Sequence, residues 1–162
     1  TLVGMTLKGK AVTGLMAQPF TGELFYALEG RSSLSHAGKT ARLRTRQTKN
    51  LADATMFTTT PQLFTDESKA RFELLESKVK LSRYGCDCYA YCMVAAGHAD
   101  LVVEPGLKAY DIVALIPIIE NAGGVVSCWD GSPAEKGGNI IAAATPELHR
   151  AALEIMRPIS DG

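Results

Sequence analysis

No excess of either charge dominates the chain: seventeen Lys and Arg balance seventeen Asp and Glu over 162 residues. That balance removes the overall field that draws a protein toward nucleic acid or anionic lipid. Long apolar runs are missing as well, and none approaches the roughly 18 residues of a membrane-spanning helix. The opening Thr1-Leu2-Val3-Gly4 has neither an initiator Met nor the charged-then-apolar pattern of a secretory leader. A soluble, cytoplasmic protein is the expectation. Histidine is sparse and scattered (His36, His98, His149), and no Ser or Cys stands beside a recognisable base, so no nucleophile dyad is legible. Repeats and low-complexity linkers are absent. A single domain over 1–162 is expected, because 46% hydrophobic residues suffice for one core.

Four cysteines are present, and three of them (Cys86, Cys88, Cys92) crowd into seven residues. A secreted disulfide framework spreads its cysteines evenly, and a zinc site wants C-x-x-C spacing with a second ligand pair. Neither pattern occurs, so these read as small buried thiols.

What the chain does contain is a run of strands followed by alternation. Residues 1–64 read as an antiparallel meander region. Val3, Met5 and Leu7 alternate with Leu2, Gly4 and Thr6, Lys8-Gly9-Lys10 turns, and further strands pass through Val12–Met16 and Leu24–Leu28. Residues 31–50 hold six Lys or Arg and no acid. In Thr40–Arg46 the arginines alternate with smaller residues and no aromatic interleaves them, which reads as a solvated edge strand rather than a nucleic-acid patch. Ala54–Thr60 is β-rich and Pro61 stops it.

Residues 65–162 read as an α/β region. A helix is expected from Thr65 to Lys80, capped by Thr65 or Asp66, with Phe72, Leu75 and Val79 on one stripe. A short strand Leu81–Tyr84 leads into a helix from Cys86 to Ala96 closed by Gly97. The strand Leu101–Glu104 follows. The helix expected over Asp111–Asn121 is apolar almost all round, with a kink where Pro117 deprives the Val113 carbonyl of its donor. Strands at Val125–Trp129 and Asn139–Ala144 precede a last helix opening on Thr145 and Pro146, which buries Leu148, Ala151, Ala152 and Ile155. The fold class is mixed, layered α/β (α+β layered).

Two segments invite chemistry. In Glu104–Asp111 one carboxylate leaves a buried strand, a Gly-containing loop turns, and a second carboxylate stands where a helix opens. A helix start attracts anions through its free N–H groups; Asp111 also fits an ordinary N-cap, and Glu104 a solvated strand end. In Arg83-Tyr84-Gly85-Cys86-Asp87-Cys88-Tyr89 a strand meets glycine and then a helix, which lets backbone approach a ligand closely. Asp87 there also fits a plain helix-start residue.

Residues 83–104 and the run 107–124, Leu-Lys-Ala-Tyr-Asp-Ile-Val-Ala…Glu-Asn-Ala-Gly-Gly, resemble the inositol monophosphatase family, whose second signature is W-D-x-A-x-x…E-A-G-G. The likeness extends over essentially the whole chain and implies the C-terminal part of an αβαβα sandwich. It also implies a phosphate monoester hydrolase dependent on Mg²⁺, with Asp111 as a catalytic metal ligand. Glu104 would contact the far side of the substrate, and Arg83, Gly85, Cys86 and Asp87 would line the substrate turn. Tyr110 stands where tryptophan is usual, and Asp87 where inositol phosphatases have a small neutral residue. Both resemble the histidinol-phosphate phosphatase branch of histidine biosynthesis, whose turn reads G-D-x-x-x-Y; this chain has one extra residue between Gly85 and Asp87. A carboxylate beside the turn complements a cationic substrate and does little for a neutral polyol. Inositol monophosphatase, or a related sugar or nucleotide phosphatase, is the alternative. The resemblance further implies a homodimer acting on a small phosphorylated metabolite, histidinol phosphate or inositol phosphate.

The family's first signature, D-P-I-D-G-T, and the glutamate pair before it are absent. Magnesium wants about six oxygens, and Asp111 with water does not supply them. The expectation is therefore a fragment, inactive alone, whose partner is the missing N-terminal half of the same protein. From another class, the rival is a non-catalytic binding half-domain.

Overall fold

The computed structural model describes residues 1–157, and for Asp66 the backbone only. The first sheet is an antiparallel meander of β1 (Leu2–Leu7), β2 (Lys10–Gln18), β3 (Glu23–Leu28), β4 (Arg31–His36) and β5 (Lys39–Arg42), in that spatial order. The second contains β6 (Thr55–Thr58), β7 (Leu81–Tyr84), β8 (Leu101–Lys108), β9 (Val125–Cys128) and β10 (Gly137–Ala143), ordered β7-β6-β8-β10-β9. In it β6 runs parallel to β7 and β8, while β10 runs antiparallel to β8 and β9. Thr55–Thr58 lies inside the 1–64 region expected to form the meander, yet it pairs in the second sheet.

Helices α2 (Cys88–Ala95), α3 (Ala109–Ile112) and α4 (Leu115–Glu120) fill the space between the sheets. Helices α1 (Asp66–Glu76) and α5 (Pro146–Met156) cover the far face of the second sheet. Strand alternation separates two cores. Val102, Ile140 and Ala142 face the middle helices together with Met16 and Phe25, whereas Leu101, Val103, Ile141 and Ala143 face α1 and α5. The order is thus sheet, helices, sheet, helices. The outer face of the first sheet carries Val3, Met5 and Leu7, each more than half exposed, beside an apolar groove of about 410 Å³.

Several boundaries moved, each for a local reason. α1 ends at Glu76, four residues before Lys80, although Phe72 and Leu75 are buried as expected. Thr65 holds its N-cap position, where its N–H donates to Ser68 Oγ at 3.0 Å; the side chain of Asp66, the other candidate cap, lies outside the described residues. α2 starts at Cys88 because Gly85, Cys86 and Asp87 all have positive φ. β8 runs on through Pro105 and Gly106 to Lys108, where a loop was expected, with its pairing to β10 shifted near Gly138. The stripe of α5 is Leu148, Ala152 and Met156, with Ala151 and Ile155 half-buried; Thr145 Oγ1 caps it by accepting from Leu148 N at 3.2 Å.

The basic segment is an edge only as far as Arg42. Beyond it Leu43 and Thr45 are buried, and Arg46 reaches back to the Gly97 carbonyl at 2.8 Å and to the fully buried Asp100 at 3.1 Å. Asp100 Oδ2 also accepts from Thr55 N at 2.8 Å, which ties three segments together. A buried carboxylate needs such partners, and stripping Arg46 away would leave it uncompensated.

The helix expected over Asp111–Asn121 begins at Ala109 and is interrupted at Val113–Ala114, one turn ahead of Pro117. Proline has no N–H for the Val113 carbonyl, so the hydrogen-bond ladder lapses there while both residues stay in the right-handed helical region. That interruption lies flush against the first sheet. A Cβ on Gly14 would sit 1.8 Å from the Ala114 carbonyl oxygen, and one on Gly4 would sit 2.8 Å from the Ala114 nitrogen. Ser32 Oγ, fully buried, braces the same helix by donating to the Pro117 carbonyl at 3.2 Å. Gly14→Ala is expected to destabilise the fold by more than about 3 kcal/mol, since backbone rather than a flexible side chain must yield. Urea melts check this; a change near that of a surface substitution would show that the helix moves aside freely.

Candidate functional site

Parallel pairing brings three strand ends abreast. Thr58 pairs with Tyr84 and Phe57 with Val102, so Thr58-Thr59, Gly85 and Glu104 emerge on one side of the second sheet. Carboxyl ends of parallel strands are where α/β sheets bind ligands.

Glu104 is 3% exposed. Its Oε1 accepts from Thr59 N at 2.6 Å and Thr59 Oγ1 at 2.8 Å, and its Oε2 from Thr58 Oγ1 at 3.4 Å. Burial pushes its pKa above the ordinary range, the threonine bonds oppose that, and Asp87 adds to it. It is not the solvated strand end that its position also allowed.

Gly85 N–H is shared between the carbonyls of Thr58 (3.1 Å) and Thr59 (3.0 Å), which seats the turn on the same threonines. Gly85, Cys86 and Asp87 have φ of 86°, 69° and 46°. Two consecutive non-glycine residues in that region store strain on the order of 1–3 kcal/mol each. Something must hold them. The Tyr89 hydroxyl donates to Glu23 Oε2 at 2.8 Å and its ring meets Phe25 edge-on at 5.9 Å, which fastens the first turn of α2 to the meander. Burial and the bond to Glu23 push the Tyr89 phenol up to about 12, keeping it a neutral donor. Asp87 occupies the N-cap position yet makes no capping bond, so its exposed carboxylate is left over. Cys86 is exposed with a free thiol.

Asp111 is half-buried at the third position of α3, not at its cap, and its Oδ2 accepts from Lys108 N at 2.8 Å. Asp87, Glu104 and Asp111 all act on one neighbour: burial first, then these three carboxylates, hold the Tyr91 phenol well above its ordinary pKa. Asp87 and Asp111 likewise add to the effect of burial on Cys88. The three acids therefore lie within electrostatic range of the first turns of α2. Among the described residues none of them has a Lys or Arg ion-pair partner. Arg83 does not join them; it is exposed on edge strand β7 and donates to the adjacent Ser82 carbonyl.

Among the described residues, no three His, Cys, Asp or Glu side chains converge tightly enough to cage a metal ion. Asp111 offers one carboxylate, short of the roughly six oxygens that magnesium takes. The residues of this chain do not by themselves fit a complete magnesium site. Tyr91 stands at the tyrosine of the G-D-x-x-x-Y turn without an expected role, and Thr58 and Thr59 are not legible as site residues in the sequence. The adjacent threonines at the end of a strand were the available signal, but only parallel pairing puts them beside Glu104.

A layered α/β sandwich with unpaired acids at its strand ends is the class that fold and site define. The chain belongs to the inositol monophosphatase family, whose model matches residues 1–160. It is 38% identical over 163 residues to the protein named bifunctional phosphatase IMPL2, chloroplastic, of Arabidopsis thaliana, covering 95% of this chain and 46% of that one. It is 30% identical over 142 residues to a histidinol-phosphatase of Streptomyces coelicolor, covering 85% and 53%. An inositol monophosphatase structure from Zymomonas mobilis superposes with a TM-score of 0.88 at 35% identity, covering 97% of this chain and 62% of that one. The chain spans about half the length of the curated relatives it matches. No helix among the described residues is long and apolar enough to cross a membrane.

Because Glu104 binds its proton more tightly when folded than unfolded, ionising it weakens the fold. That penalty is absent below the ordinary glutamate pKa and complete above the raised one. Glu104→Gln keeps an acceptor for Thr59 and is expected to gain stability relative to wild type as pH rises through that window. Paired urea melts from about pH 4 to about pH 8 test it; a difference flat with pH would remove burial as the controlling effect.

Proposed function

We propose that this chain is part of a magnesium-dependent phosphate monoester hydrolase whose substrate carries a cationic end, histidinol phosphate being the best fit. The observation that carries the reading is the set of three unpaired carboxylates, Asp87, Glu104 and Asp111, around α2. Acids that share one neighbourhood without basic partners favour a bound cation. Asp111 would hold a metal through the oxygen that Lys108 N–H leaves unused, and Asp87 and Glu104 would face an ammonium or imidazolium. With its remaining ligands supplied, magnesium held there would contribute charge stabilisation and an activated water. The similarity to the Streptomyces coelicolor histidinol-phosphatase supports this branch. The likeness to the Zymomonas mobilis inositol monophosphatase favours a polyol phosphate as the second reading.

The remaining metal ligands would come from further polypeptide, the other half of the length that relatives have and this chain does not match. The exposed apolar face of Val3, Met5 and Leu7 suits such a segment, since a monomer rarely leaves a continuous apolar sheet face to water.

Phosphate release from histidinol phosphate and from inositol 1-phosphate, each with and without magnesium, tests the reading on the intact protein. In that protein Asp111→Asn is expected to lower turnover at saturating substrate by at least about 100-fold; unchanged turnover removes Asp111 from the metal site. Asp87→Ala should reduce kcat/KM for histidinol phosphate about ten-fold more than for inositol 1-phosphate, and equal losses would defeat the cationic substrate.

A further inference from the structure

Among the described residues four buried side-chain polar atoms lack a hydrogen-bond partner, Thr45 Oγ1, Ser82 Oγ, Asp100 Oδ1 and the Tyr91 hydroxyl, and the last lies on α2. The Tyr91 hydroxyl is completely shielded from solvent and, among the described residues, makes no hydrogen bond. The large majority of buried polar side-chain atoms find a partner. A phenol left without one forfeits about 1–3 kcal/mol, and phenylalanine would fill the same space without that loss. The oxygen therefore answers to something other than packing.

Its surroundings say what. Tyr91 lies in the first turns of α2, four residues after Asp87 at the N-cap position. It packs in the core that holds Val102 and Ile140. Glu104 follows Val102 by two residues in β8 and is paired with Ile140, so its side chain rises from the same face toward α2. The two oxygens of Glu104 are unequally engaged. Oε1 has two short bonds, from Thr59, whereas Oε2 has a single contact of 3.4 Å from Thr58. Oε2 thus keeps acceptor capacity on the side of the sheet where an unused donor is buried.

We propose that the Tyr91 hydroxyl is a positioning group for Glu104, donating to Oε2 and orienting the carboxylate toward the cationic end of a bound amine. The inference rests on the cationic-substrate reading above and deepens it by naming what aims the acid. An ammonium near Glu104 offsets the repulsion from Asp87 and lets Oε2 exchange its long threonine contact for a charge-assisted phenolic one. Tyr91 does not itself touch the substrate.

Calorimetric titration of the intact protein with histidinol, the phosphate-free amine, reads this without requiring hydrolysis. Tyr91→Phe is expected to weaken histidinol binding about ten-fold, the loss of one hydrogen bond to a charged group, with a Tm equal to or above that of wild type. In a Glu104→Gln background the same substitution should change binding less than about two-fold, because a residue acting through Glu104 has no separate effect once that carboxylate is gone. Equal affinity in wild type and Tyr91→Phe would overturn the proposal, as would a full ten-fold loss in the Glu104→Gln background or a lowered Tm. Failure of histidinol to bind wild type would overturn it too. Phosphate release by wild type, measured in parallel, judges the phosphatase reading separately: an active enzyme with an indifferent Tyr91 sinks only this inference.

Discussion

The meeting of a helix backbone with two glycines is the constraint on which the middle of the molecule depends. At Val113–Ala114 the helical ladder lapses because Pro117 cannot donate, and there the chain lies against Gly4 and Gly14. A side chain on Gly14 would occupy the space of a carbonyl oxygen, so the first sheet can approach α4 this closely only with glycine there. The same approach carries α3, and with it Asp111, to a set distance from the meander. Packing of this tightness tolerates little adjustment, which makes the sheet and helix one rigid support.

On that support the acids are placed by different kinds of force. Glu104 is held from below by threonine donors and disfavoured in its charged form by burial. Asp87 is held by a strained turn whose backbone is tied to Thr58 and Thr59 at one end and, through Tyr89 and Glu23, to the meander at the other. Asp111 gives one oxygen to the N–H of Lys108 and keeps the other. Asp87 adds to the burial that disfavours charge on Glu104, and a cation that relieves this gains affinity from it. The electrostatic cost at Glu104 and the backbone strain at Cys86 and Asp87 thus fall on neighbouring segments tied to the same two threonines.

Much of this was legible in the residues. Thr145-Pro146 announces the start of α5, and Pro117 announces a fault in its helix, because each effect is local and covalent. Gly85 marks a turn before α2 for the same reason. The extension of positive φ to Cys86 and Asp87 was not legible, since neither residue prefers it and only the surrounding contacts impose it. Arg46 read as part of a solvated run; its partner Asp100 is 54 positions away, beyond any local pattern.

The sequence by itself determined the alternation of elements, the apolar helix between layers and the two acidic residues flanking a strand-to-helix passage, because these rest on periodicity, proline and glycine. Only the tertiary structure decided that Thr58 and Thr59 hold Glu104, that Asp87 keeps its carboxylate free, and that Tyr91 is buried without a partner. Those outcomes depend on parallel strands bringing residues some 45 positions apart to one edge, and strand order is a property of the folded sheet that no local window contains.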